Sequence, residues 1–229
     1  MWKKISDILN EIVSKIVYFF GWCGFQLLYR VGHRYRVHHT ERKAVLKGRK
    51  RGIILAVNHA SYLDPSIAGI IFWHRVWYLA RRSLFDNAFF AWLIRAVCAL
   101  PISREKLDLA TLRSVKECLD SGRYVMLFPE GTRTENGELQ PGQAGVGFFA
   151  DKLKADILPI YIKGAFEAWP RGGKYHFAKL DSIVGELVPY ESWQNLPPGR
   201  ERYQIMGDGI MEKIAALKQE LETELEKEA

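Results

Sequence analysis

An α/β fold, with a mixed, partly parallel sheet flanked by helices, is predicted by three features of this 229-residue sequence. Short apolar runs rich in β-branched residues alternate with longer runs at helical spacing, the pattern of a layered α/β core. Two of the apolar runs end directly in polar clusters, Asn58-His59 and Pro129-Glu130, as strands do when they deliver functional loops. Turn signals such as Ser121-Gly122 and Pro197-Pro198-Gly199 close or separate the helical runs.

The elements follow in order. Ile5, Ile8, Leu9, Ile12, Val13, Ile16 and Phe20 recur at helical spacing, with Lys4, Asp7, Glu11 and Lys15 on other faces, which predicts an amphipathic helix. Residues 16–29 carry no charge, but they fall short of the roughly 20 apolar residues a spanning helix needs. Gly21 and Gly24 interrupt them. Residues 1–34 are therefore predicted to form a membrane-associating helical hairpin, with Trp2, Tyr18, Trp22 and Tyr29 at headgroup depth. A helix pair packed into a soluble core is the competing reading. Asp7, Glu11 and Lys15 break the apolar region and argue against a secretory signal.

The net charge of +7 and pI near 9.3 favour anionic partners. Arg30, Arg34, Arg36, Arg42, Lys43, Lys47, Arg49, Lys50 and Arg51 follow the apolar stretch, opposed only by Glu41. A basic segment beside an apolar anchor gains about 1 kcal/mol per Lys or Arg from an anionic leaflet. This predicts a peripheral or monotopic protein on the cytoplasmic face of the cell membrane, with membrane phospholipids as partners. Nucleic acid is not an expected partner, because no nucleic-acid motif accompanies the basic run.

Residues 35–229 are expected to form the α/β domain. Gly52–Val57 is a buried strand, Pro65–Phe72 a helix, Val76–Ala80 a strand and Phe89–Ala96 a helix. Leu107 to Leu119 is helical, Tyr124–Phe128 a strand, Gly142–Lys154 a helix and Leu158–Ile162 a strand. Tyr175–Ala178 and Ser182–Gly185 are short strand-like runs that invite antiparallel pairing. Tyr203–Lys227 makes a C-terminal helix whose acidic end is expected to be a solvated face.

The chemistry lies in two loops. A neutral imidazole has one donor and one acceptor nitrogen, so a carboxylate taking the proton of the first leaves the second free to accept one from a hydroxyl. In Asn58-His59-Ala60-Ser61-Tyr62-Leu63-Asp64 the pair would be Asp64 orienting and His59 acting. Alternatively, Asp64 is the N-cap of a helix that begins at Pro65. Phe128-Pro129-Glu130-Gly131-Thr132-Arg133 follows a strand as a turn that offers backbone N–H groups and a guanidinium, a setting suited to a phosphate ester. Gly131 permits close approach of a ligand, and Arg133 can grip phosphate oxygens bidentately; an ordinary surface turn with Glu130 paired to Arg133 is the bland alternative.

Together the two loops resemble the motifs of the glycerolipid acyltransferase family, specifically its 1-acylglycerol-3-phosphate (lysophosphatidate) acyltransferases. Two weaker blocks fall in the family's order: Leu100-Pro101-Ile102-Ser103-Arg104, and Ile157-Leu158-Pro159-Ile160 through Gly164. The resemblance spans residues 35–190. It departs at Cys98, where relatives commonly have glycine, and at Pro101, where they have an aromatic. Arg81 falls where relatives often carry a phosphate-contacting lysine, and Ser83 replaces a usual glutamate.

The resemblance implies transfer of an acyl group from an acyl thioester, acyl-coenzyme A or an acyl carrier protein, to the hydroxyl of lysophosphatidate, giving phosphatidate. His59 and Asp64 are the expected catalytic pair, with Arg81, Arg104, Glu130, Gly131, Thr132 and Arg133 binding substrate. No cofactor beyond the donor is implied. No metal is expected either, since Cys23, Cys98 and Cys118 are odd in number and widely spaced. Other lyso-lipids and glycerol 3-phosphate are alternative acceptors. A hydrolase or ping-pong enzyme using Ser61 or Cys98 is disfavoured by the lack of a G-x-S-x-G elbow. A lipid-binding protein that keeps the fold without the reaction is the remaining class.

Overall fold

The structure, a computed structural model, describes residues 2–102 and 109–228. Helix α1 (Trp2–Leu27) leads through a short π-helical turn to strand β1 (Arg36–His38) and strand β2 (Ile54–Val57). Then come α2 (Asp64–Ile70), β3 (Val76–Arg81), α3 (Ala88–Ala96), β4 (Ala99–Ile102), α4 (Leu109–Asp120) and β5 (Tyr124–Leu127). The chain closes with α5 (Ala144–Leu153), β6 (Ile157–Lys163), α6 (Ala165–Ala168), β7 (Asp181–Val184) and α7 (Arg200–Glu228).

The seven strands form one sheet in the order β1-β7-β6-β2-β5-β3-β4. Every pairing is parallel except β6 with β7. The expected mixed sheet and its antiparallel step after Gly164 are both present. β2 is buried at every position, because helices cover both faces. Leu55, Val57, Met126 and Ile160 pack toward α2 on one side. Ile54, Ala56, Val125 and Leu127 pack toward Leu119, Phe149, Met206 and Ile210 of α4, α5 and α7 on the other. α5 and α7 approach so closely that a Cβ on Gly147 would lie 2.1 Å from the Tyr203 carbonyl oxygen. Glycine is required there, and the contact fixes the helix that walls the site.

The N-terminal segment differs from expectation. It is one continuous helix, not a hairpin, and it packs beside α2 and α3. Trp22 Nε1 donates to Phe72 O, Gln26 Nε2 to Ile70 O, and Ser14 Oγ to Ala96 O. Gly21 and Gly24 do not break it: each costs about 1 kcal/mol against alanine, too little to force a turn without a proline. Leu9–Gly32 is long and apolar enough by composition to cross a membrane, and only 6% of its most apolar window is buried.

The acidic end of α7 also differs from expectation, because it meets part of the basic run. Arg36 pairs with Asp181 and Glu228, Arg42 with Glu186 and Glu220, and His38 and His39 with Glu224. Arg49 pairs with Asp156, and Arg51 with Asp120. The acidic helix end is thus a clasp on part of the basic segment instead of a solvated face: Arg36 and Arg42 are paired to it, and Arg49 and Arg51 to carboxylates elsewhere in the molecule.

Three local details complete the comparison. Arg36–His38 forms the edge strand β1, anchored by buried Asp181, and the apolar run before Arg104 forms β4. Tyr175–Ala178 is not a strand; it is held by His33, whose ring meets Tyr175 Oη at 2.7 Å and the Ala178 carbonyl at 2.8 Å. The start of the helix expected from Leu107 lies outside the described residues.

Candidate active site

The first loop is fixed at the C-terminal end of β2 by a side chain that imitates a strand. Asn58 Nδ2 donates to the Ile162 carbonyl at 3.0 Å, and Asn58 Oδ1 accepts from the Ile162 N–H at 2.7 Å, continuing the β2–β6 pairing by one step. The chain then turns into the loop that carries His59.

Asp64 is fully buried and draws this loop around itself. Its Oδ2 accepts from the N–H groups of Ala60 at 2.7 Å and Ser61 at 2.8 Å, and from His59 Nδ1 at 2.8 Å. Asp64 is thus the first residue of α2, with Leu63 before it, and its carboxylate serves the preceding loop instead of capping the helix. The contact of Nδ1 with the Asp64 carboxylate oxygen fixes the imidazole tautomer with its proton on Nδ1. Nε2 is left as an acceptor.

The second loop supports the first. The Phe128 ring stacks on His59 with centroids 3.9 Å apart and planes 15° from parallel. Buried Glu130 accepts from the His59 N–H at 2.7 Å and the Gln140 N–H at 3.0 Å, tying the two loops together. Burial pushes the Glu130 carboxyl up to about 7, partly countered by those two N–H groups. Glu130 does not pair with Arg133; it holds the backbone of His59. Gly131 has φ +69°, and its N–H donates to the Phe128 carbonyl at 3.0 Å, so that N–H is committed within the turn and is not an oxyanion donor.

Arg133 projects over the Tyr62 ring, 3.5 Å from its centroid, with Nη1 buried and bonded to nothing among the described residues. Arg133, His59, Gly131 and Arg81 all line one cavity of about 450 Å³ at the C-terminal ends of β3 and β5. Its inner wall is apolar, built by Leu79, Ile102, Met126, Leu127, Val146 and Phe149. Thr132 is exposed on the same loop but does not line the cavity. Arg104 lies outside the described residues.

Ser61 and Cys98, the other nucleophiles the sequence offers, are both buried. Ser61 is buried and its Oγ donates to the Trp169 carbonyl at 2.7 Å, a structural bond. Cys98 is also buried, with its thiol pushed up to about 11 by burial despite Arg75 beside it. Its backbone has φ +72°, a conformation that favours glycine. His39, Glu220 and Glu224 lie close enough together to hold a metal ion. That trio, however, is already knitted by hydrogen bonds and by Arg42 on Glu220.

Tyr62 and Phe128 contribute the ring surfaces that shelve Arg133 and His59, and neither stood out in the sequence. Both lie within the two motifs, so position was the available signal; residue type was not.

A family model described as Acyltransferase matches residues 34–163, more than half of the chain. A 1-acyl-sn-glycerol-3-phosphate acyltransferase of Bacillus subtilis is 28% identical over 174 residues, covering 75% of this chain and 83% of that protein. One from Pseudomonas aeruginosa is 30% identical over 174 residues, covering 73% of this chain and 64% of that protein. The crystal structure of the 1-acyl-sn-glycerophosphate acyltransferase PlsC from Thermotoga maritima superposes with a TM-score of 0.66 at 22% identity, over 90% of this chain and 82% of that one, and so shares its fold. The paired loops and these matches lead to one conclusion: the chain belongs to the acyltransferase family and is an enzyme of that type.

Proposed function

We propose that the protein transfers a fatty acyl group from an acyl thioester to the free hydroxyl of 1-acylglycerol 3-phosphate, forming phosphatidate. The observation that carries this reading is the Asp64-held His59, whose second ring nitrogen is free beside a cavity bearing Arg133 and Arg81. The names of the relatives favour the same acceptor.

His59 Nε2 takes the proton of the acceptor hydroxyl as its oxygen adds to the thioester carbonyl. The tetrahedral adduct collapses by breaking the C–S bond, and the imidazolium returns its proton to the departing thiolate. A thiol of pKa near 8.5 leaves readily, so one proton carrier suffices. Asp64 holds the imidazole in register and stabilises its cation. Arg133, lifted off the loop by Tyr62, takes the acceptor phosphate, with Arg81 and Arg104 as further cations. Fixing the phosphate places the hydroxyl at His59, and such proximity supplies several kcal/mol of the barrier. The apolar inner wall takes the acyl chain. Since the Gly131 N–H is engaged, the N–H groups of Thr132 and Arg133 are the candidates to face the oxyanion.

The test is transfer of a labelled acyl group, offered as acyl-coenzyme A and as acyl carrier protein, to lysophosphatidate, other lyso-lipids and glycerol 3-phosphate. Phosphatidate as the dominant product supports the reading. Preferential acylation of an acceptor without a phosphomonoester, or no product with either donor, would overturn it.

A further inference from the structure

We propose that a second pocket, at the opposite end of the sheet from the catalytic cavity, holds the headgroup phosphate of an anionic phospholipid of the bilayer. The proposal rests on α1 lying against the membrane, as the acceptor assigned above requires.

The pocket, of about 530 Å³, lies between α1 and the N-terminal ends of β3 and β5. Its centre is Trp77. The guanidinium carbons of Arg75 and Arg123 stand 5.2 and 4.8 Å from the centroid of that ring. One indole therefore takes both guanidiniums by cation–π contact, and both line the one pocket. Lys15 and His74 add to the same rim, and no Asp or Glu lines the pocket among the described residues. Arg75 donates to Cys98 Sγ and Ser14 Oγ, neither of which is charged as it stands. The nearby Glu11 carboxyl is exposed and held below its usual range chiefly by its hydrogen bond to Lys15, and less by Arg123 and Arg75.

The occupant's second half is written on the rim. Phe19 and Trp73 are 50% and 73% exposed and continue the uncovered apolar face of α1 at Ile12, Ile16 and Phe20. A ligand that places a phosphate between two arginines and lays hydrocarbon along that face is a phospholipid. A soluble phosphate uses only the first feature, and a nucleic acid has no use for the second. α1 and the π-helical turn after it join the two ends of the molecule: Tyr29 of the turn meets Ser66 beside the catalytic loop, whereas Tyr18 of α1 accepts from the Val76 N–H beside Arg75. A lipid held at the far end would keep the helix flat on the bilayer while the catalytic mouth takes its acceptor.

The full-length protein is titrated with vesicles of phosphatidylcholine alone and of phosphatidylcholine with phosphatidylglycerol. Two double variants are compared with the wild type: Arg75→Gln with Arg123→Gln, and, as a charge-matched control on the other side of the sheet, Lys213→Gln with Lys227→Gln. Each cation near an anionic surface contributes about fivefold in affinity. The pocket variant should thus lose about thirtyfold of the preference for anionic vesicles, and the control less than about threefold. Arg123→Gln alone, at an exposed side chain, should lose about fivefold and guards against misfolding of the double variant. Short-chain phosphatidylglycerol, below its micelle concentration, should change tryptophan fluorescence saturably in the wild type, while inorganic phosphate and glycerol 3-phosphate should not. Equal losses in pocket and control variants, the same saturable signal from inorganic phosphate, or retention by DNA in place of vesicles would overturn the proposal. Binding is read without turnover, so a wild type that binds anionic lipid yet acylates nothing would sink the proposed function and leave the lipid site standing.

Discussion

At the scale of single residues, the site separates groups that touch the reaction from groups that place them. Ser61 belongs to the second kind: its hydroxyl donates to the Trp169 carbonyl and accepts from the Leu63 N–H. Ser61→Ala should retain acyl transfer within a few-fold while costing about 1–2 kcal/mol of stability in denaturant unfolding. Trapping of an acyl-enzyme in the wild type by rapid quench, absent from this variant, would contradict direct attack. Glu130 carries a pH signature. Its carboxyl rises from 4.5 to about 7 on folding, so between those values the folded state binds more protons than the unfolded one. Stability should therefore fall as pH rises through that window, with the loss complete above about 7. Glu130→Gln should flatten this slope while losing one of the two N–H bonds that tie His59 to Gln140, and thermal melts across the window read both effects. The motifs pointed to His59, Gly131, Arg133 and Arg81, which line one cavity, but not to the division of labour within it, because a sequence shows no burial. Glu130 beside Arg133 suggested an ion pair, and the turn at Gly131 sends the two side chains apart.

At the scale of elements, the strongly patterned segments were legible and the weakly patterned ones were not. β2, β5, β6 and the helices between them carry continuous apolar runs or helical periodicity, and they stand within a few residues of expectation. β1 is three residues long with charged flanks, and its strand character comes from Asp181 on the neighbouring strand, so no local signal announces it. The glycines of α1 pointed to a break that its packing on α2 does not need. Nothing lies within 4 Å of a Cβ built on Gly21 or Gly24. Replacing each by alanine should stabilise the helix by about 1 kcal/mol in thermal unfolding, whereas a turn at either position would make the change destabilising. The clasp between the basic segment and α7 gives a second element-level prediction. His39 is held above 6.5 chiefly by its hydrogen bond to Glu224, with Glu41 assisting and burial opposing. Its contribution is fully present below 6.5 and lost as pH rises through the folded value. The stability difference between wild type and Glu224→Gln should therefore be larger on the acid side of 6.5 than well above it. A pH-independent difference would remove His39 from the account.

At the scale of the whole molecule, one parallel core serves two ends. The C-terminal ends of the strands present an imidazole and an arginine to an apolar cavity; the N-terminal ends present two arginines to an aromatic pocket that α1 helps to line. The α/β class was legible because alternation of strand and helix leaves few other ways to bury the apolar runs. The clasp of α7 on the basic segment was not, because it joins residues nearly 200 positions apart, and a charge run looks the same whether solvated or paired. The central claim is that an imidazole oriented by Asp64 removes the acceptor's proton, and single-turnover acyl transfer to lysophosphatidate by wild type, His59→Ala and Asp64→Asn tests it most directly. His59→Ala should lower the rate by about 10²–10⁴-fold with little change in acceptor KM, and Asp64→Asn should follow it within about tenfold, because the amide cannot fix the tautomer. A His59→Ala enzyme that turns over within a few-fold of the wild type would contradict the account.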